Sequence, residues 1–179
     1  MHLLALHCLG LVTLAANLAY AYSLDACAEL SSVLQNNTFY PSAPTYNTSI
    51  LSYPFLQLRL HPSCIIRPTS SHDVSKAVGV LKDCNSTKFA IKGGGHNANA
   101  GYNNIQDGIT IDMQSLKIVE VARGDQVVRV GAGALWQDVY DEAEKRNLTV
   151  LGGRIGVVGT AGFLTGGKSA FHTILNLHH

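Results

Sequence analysis

The run Phe89-Ala90-Ile91-Lys92-Gly93-Gly94-Gly95-His96-Asn97-Ala98-Asn99-Ala100-Gly101 decides how the rest of the chain is read. Apolar residues up to Ile91 stop at three consecutive glycines, followed by a histidine, two asparagines and a further glycine. Glycine has no Cβ, so it weakens helices and strands but admits positive φ and close approach to its backbone. Three of them directly after a strand expose successive N–H groups on a bare turn, a nest of donors suited to an anionic group such as a phosphate. No amphipathic helix follows, so this is not the Rossmann fingerprint, and the missing Gly-Lys-Ser/Thr ending argues against a P-loop. A tight glycine turn carrying a surface histidine fits the stretch, taken alone, equally well.

Outward from this run, 179 residues give room for one domain of ordinary size, and 46% hydrophobic against 14% charged residues indicate a real core. A net charge of +1 offers no electrostatic case for nucleic acid or an anionic membrane. Neither is expected as a partner; a monomer acting on a small molecule is. Leu3 to Ala19 is nearly all apolar and ends in the small-x-small pattern Ala19-Tyr20-Ala21, which predicts a signal peptide over 1–21 and a secreted protein. Only the α-amino group and His2 precede the apolar run, a departure from the usual basic start. Asn-x-Ser/Thr sequons at Asn36, Asn47, Asn85 and Asn147 agree with secretion and predict a glycoprotein with no membrane attachment after signal cleavage. Cys8 leaves with the leader. Of Cys27, Cys64 and Cys84, two are expected to pair in an oxidising compartment, and spacing alone does not choose which.

Periodicity places the elements. A short helix is expected from Tyr22 to about Asn36, then an extended arm over 38–52, where two prolines and a sequon leave no clear period. Cys64 to Ile66 reads as a β-run ended by Pro68. Ser70 with Asp73 makes a capping-box-like entry to a helix whose Val74, Ala77, Val78 and Leu81 recur at i, i+3, i+4, i+7, ending near Cys84. Strands follow over 88–91, 109–113, 118–121 and 127–130. A last helix runs from Leu135 to Arg146, with Trp136, Val139, Tyr140 and Ala143 on its apolar stripe and Asp141–Lys145 and Glu142–Arg146 as i, i+4 pairs. Glycines then dominate 152–167, and strand–helix–strand units on either side of a glycine turn indicate a mixed α+β domain.

Six pieces in order resemble the flavin-binding domain of the vanillyl-alcohol-oxidase/p-cresol-methylhydroxylase superfamily, in its secreted berberine-bridge-like and fungal FAD-linked branch. They are Cys64-Ile65-Ile66-Arg67-Pro68-Thr69-Ser70, Asp73-Val74, Phe89 through His96, Gly108-Ile109-Thr110-Ile111-Asp112-Met113, Val130 through Tyr140, and Gly152-Gly153-Arg154 through Val158-Gly159 to Gly167. The resemblance implies an α+β fold of PCMH type, two small α/β subdomains, with FAD as cofactor. It assigns 22–56 to an N-terminal arm, 57–167 to the FAD-binding domain and 168–179 to an unmatched tail, with the C-terminal substrate domain absent. The pyrophosphate would lie along Lys92, Gly93, Gly94, Gly95, His96 and Asn97, with Gly101 nearby. Val158, Gly159, Thr160, Gly162 and Gly166 would follow the ribityl chain and adenosine.

His96 stands where many relatives carry a histidine bonded to the isoalloxazine 8α-methyl, so a flavin-facing role is implied, with covalency open. Ile155 occupies the position of the second anchoring cysteine of bicovalent relatives, which removes that link. Trp136 reads as core, and Gly131 and Gly133 as packing glycines. The resemblance further implies a Cys27–Cys84 disulfide, with Cys64–Cys84 as second choice. The activity implied is oxidation of an alcohol, sugar or secondary-metabolite C–H or C–OH group with electrons passed to oxygen. The alternative is a truncated, non-catalytic flavin-binding fragment. A secreted glycan-binding module fits the sequons but leaves the glycine tracts unexplained. No residue present carries a motif for the catalytic base, and His172, His178 and His179 lack the acidic neighbours of a metal site, so no metal is expected.

Overall fold

The computed structural model describes residues 26–84, 87–122, 124 and 127–167. The expected signal peptide, the Asn85 sequon and the tail from 168 lie outside these residues.

A mixed four-stranded sheet of order β1-β2-β4-β3 organises the first part of the chain. Its strands are β1 (Thr38–Phe39), β2 (Cys64–Ile66), β3 (Phe89–Lys92) and β4 (Ile109–Asp112). β2 and β3 each run parallel to β4, and β1 is antiparallel to β2. Helices cover both faces. On one lie α1 (26–34) and α3 (Ser71–Asp83), whose Leu30, Leu34, Ala77 and Leu81 pack against Cys64, Ile66, Ile109 and Ile111. On the other, α2 (Pro44–Leu51) packs Tyr46 and Ile50 against Ile65. Because both faces are roofed, all four residues of β4 are buried.

The α3 boundary is set as the sequence predicts: Ser70 Oγ accepts the Asp73 N–H at 3.1 Å. The Asp73 carboxylate reaches one residue further back than a standard capping box, accepting from the N–H and hydroxyl of Thr69. These bonds hold its pKa below the ordinary carboxylate value. Val78, expected on the apolar stripe, is 51% exposed. The buried face is narrower, made by Ala77 and Leu81 with Val74 and Val80 at its edges.

The structure departs from two further expectations. The segment expected as an extended arm over 38–52 is β1 followed by α2, which begins with Pro44 in its first turn, where the missing N–H costs nothing. The disulfide joins Cys27 to Cys64, with Cα atoms 6.1 Å apart, and not Cys27 or Cys64 to Cys84. Burial of Cys64 is what brings it to its mate: α1 lies on the sheet face where Cys64 opens β2, and both cysteines enter one apolar cluster. Cys84 caps the end of α3 against that cluster, outside the bridge.

Beyond β4 the hairpin β5 (Val119–Ala122) and β6 (Val127–Val130) forms a two-stranded sheet, followed by α4 (Trp136–Glu144) and the short α5 (Thr160–Thr165). Trp136, Val139 and Ala143 are buried as the stripe predicts. On the outer face, Lys145 pairs with Glu142 at i, i+3, 2.9 Å, rather than with Asp141, which accepts from Gln137. Gly131 and Gly133 are packing glycines: a Cβ on either would fall within 2.2 Å of the Leu116 or Met113 carbonyl oxygen.

Candidate functional site

The glycine turn after β3 and the later glycine tract meet. A Cβ built on Gly94 would lie 2.4 Å from the Gly159 nitrogen, and one on Gly159 would lie 2.3 Å from the Gly94 nitrogen. Two bare backbones in contact form the floor of a groove of about 590 Å³. Gly159 is held there from behind: it bridges Leu135, and the Thr160 and Trp136 N–H groups bond to the Ala134 and Val158 carbonyls at 3.0 Å.

The expected site residues divide by place. Gly93, Gly94, Gly95, His96, Asn97, Val158, Gly159 and Gly162 line the groove. Lys92, Gly101, Thr160 and Gly166 do not. Thr160 is buried with its hydroxyl on the Ala134 carbonyl, and Gly101 takes φ +86° in the exposed turn beyond. The groove is also lined by Asn99, Tyr102, Asn103 and Phe163, none of which the motif reading picked out. An asparagine-rich turn at 97–104 is the one local signal that could have found Asn103. Its burial depends on Tyr53, fifty residues earlier, whose hydroxyl donates to the Asn103 carbonyl at 2.6 Å.

Lys92 points the other way. Its ammonium donates to Ser52 Oγ at 2.8 Å and to the oxygens of Ser49, lies 3.6 Å from Asp112 and sits 4.4 Å from the centre of the Tyr53 ring. Asp112 is fully buried; its Oδ2 also accepts from Ser49 Oγ, Arg67 and Gln114. Burial lowers the Lys92 pKa, against the pull of the Asp112 carboxylate. Burial, and then the same carboxylate, raises the Tyr53 pKa far above its ordinary value, so its hydroxyl stays a donor.

What the groove can hold follows from its donors. Among the described residues, none accepts a hydrogen bond from the backbone N–H groups of Gly93 to Asn97. Unused donors on a turn without side-chain bulk suit phosphate oxygens. His96 is exposed at the same rim. No group of three His, Cys, Asp or Glu able to hold a metal occurs among the described residues, and no described helix is long and apolar enough to cross a membrane.

Residues 62–176 match the profile of the FAD binding domain family, and the chain belongs to that family. Its cofactor is FAD, and the family is one of oxidoreductases. The match ends nine residues past the expected limit of 167.

Among sequence relatives, the chain is 35% identical over 176 residues to the FAD-dependent monooxygenase macF of Penicillium terrestre, covering 97% of this chain and 34% of that protein. To the FAD-dependent monooxygenase sdcF of Emericella nidulans it is also 35% identical, covering 82% of this chain and 31% of that protein. Among solved structures, 6-hydroxy-D-nicotine oxidase from Arthrobacter nicotinovorans superposes with a TM-score of 0.63 at 29% identity, over 72% of this chain and 28% of that one. Wild-type Physcomitrella patens BBE-like 1 gives 0.60 at 27%, over 73% and 29%. The chain therefore spans about a third of the length of the relatives it matches.

Proposed function

We propose that this chain supplies the FAD-holding part of an oxidoreductase that removes hydride from a C–H bond of an alcohol, sugar or secondary metabolite and passes the electrons to oxygen. The carrying observation is the row of unused N–H donors from Gly93 to Asn97, set against the bare backbone of Gly159. In this reading those donors take the pyrophosphate, Val158 to Gly162 form the wall beside the rest of the nucleotide, and His96 faces the flavin ring. Bound flavin would supply the hydride acceptor; the protein's share is to hold phosphates and exclude water. The relatives' descriptions as FAD-dependent monooxygenases favour oxygen as the acceptor.

A second reading is flavin binding without turnover, which the family match alone also fits. Secretion and glycosylation are part of the proposal, and Asn36, Asn47 and Asn147 are all exposed. The test is expression with FAD, followed by acid precipitation. Flavin kept in the pellet and lost in His96→Ala supports a covalent link. Quantitative release from a chain that bound tightly leaves His96 a non-covalent neighbour. A yellow protein that oxidises a member of an alcohol and sugar panel supports the enzyme; one that oxidises none favours the second reading.

A further inference from the structure

We propose that Lys92 and Tyr53 are positioning residues that set the Gly93–Asn97 turn from beneath, tying the nucleotide groove to helix α2; this rests on the FAD reading above. The two ends of the turn are pinned through one cluster. At its start, Lys92 sends its ammonium away from the groove to the last turn of α2, onto the Ser49 carbonyl at 3.4 Å and the hydroxyl of Ser52, the residue that caps the helix. The Ser49 carbonyl also accepts from Ser52 Oγ at 2.7 Å, so the ammonium joins a contact already made there, and its charge matches the negative end of the helix dipole. At its far end, the Tyr53 hydroxyl holds the Asn103 carbonyl, and Asn103 Nδ2 donates to the Asn97 carbonyl at 2.9 Å.

Between the ends, Gly95 turns at φ +68°, and a Cβ built on it would lie 3.4 Å from both Lys92 Cε and the Tyr53 ring. Lysine and ring thus form the surface on which the turn rests. The Lys92 side chain is 8% exposed, too enclosed to reach a phosphate in the groove. Buried ion pairs are often no more stabilising than apolar residues of the same size, so the Lys92–Asp112 arrangement is better explained by the geometry it specifies. Ser49, Ser52 and Tyr53 all precede residue 62, where the family match begins. The N-terminal segment is thereby made part of the binding site.

The test is titration of FAD fluorescence against the full chain at several NaCl concentrations, for wild type, Lys92→Met, Tyr53→Leu and the double variant. Each single change is expected to weaken FAD binding about tenfold. The salt dependence of binding should stay that of wild type, and the double variant should bind no worse than about the weaker single, because both act through one support. A phosphate contact by Lys92 would instead flatten the salt dependence in Lys92→Met, and that result overturns the proposal, as does wild-type affinity in Tyr53→Leu. If Lys92→Met fails to fold, Tyr53→Phe decides. It keeps the ring and removes the hydroxyl on Asn103, so severalfold weaker binding supports the latch and unchanged binding overturns it. A folded wild-type chain that binds no FAD would overturn the cofactor reading itself, and this inference with it.

Discussion

At the scale of single residues, the glycine triplet was legible as a bare turn suited to phosphate, but the packing that Gly94 itself obeys was not. Its constraint is Gly159, whose backbone occupies the space a side chain on Gly94 would need. That partner lies sixty-five positions away, and no local pattern announces it. Gly94→Ala should therefore open the groove and lower stability by about 1–3 kcal/mol, the usual cost of overpacking against backbone that cannot step aside. Denaturant melts would show it; an unchanged midpoint would mean the two tracts do not touch. Lys92 shows the same limit: position beside a glycine turn does not say which side of the strand a long side chain takes. Asp112→Ala leaves Arg67 and Lys92 facing a hole where their shared carboxylate stood, and removing one partner of a buried charge cluster costs about 3–5 kcal/mol. A loss below about 1 kcal/mol in urea unfolding would contradict the cluster.

At the scale of elements, what was readable had its own local signal. α3 carried both a cap and a period, and Ser70→Ala should cost about 1 kcal/mol by leaving the Asp73 N–H without its acceptor. A chevron or equilibrium midpoint indistinguishable from wild type would sink that expectation. α2 carried neither signal. Its buried residues are Tyr46, Ser49 and Ile50, and one of these is polar because it serves Asp112. A stripe interrupted for that purpose does not register as periodic. Val78 shows the converse, an apolar residue at helical spacing that meets water because the buried stripe of α3 runs through Ala77 and Leu81 with Val74 and Val80 beside it.

At the scale of the whole molecule, fold class and cofactor were readable because six weak motifs fell in one order, whereas the disulfide depended on how α1 lies across the sheet. Cys27 and Cys64 are 37 positions apart, and closing that loop contributes about 4 kcal/mol in the chain-entropy model. Non-reducing peptide mapping should recover the Cys27 and Cys64 peptides as one species, and a link to Cys84 would refute this arrangement of α1. Contact between two glycine tracts distant in sequence makes the groove, so the claim that it holds the pyrophosphate of FAD is a claim about the entire fold. The direct measurement is titration of the folded 179-residue chain with FAD, followed by displacement with inorganic pyrophosphate. Saturable binding that pyrophosphate competes away, and that Gly94→Ala abolishes, is the predicted result. A folded chain that binds no FAD, or binds it identically with and without excess pyrophosphate, would contradict it.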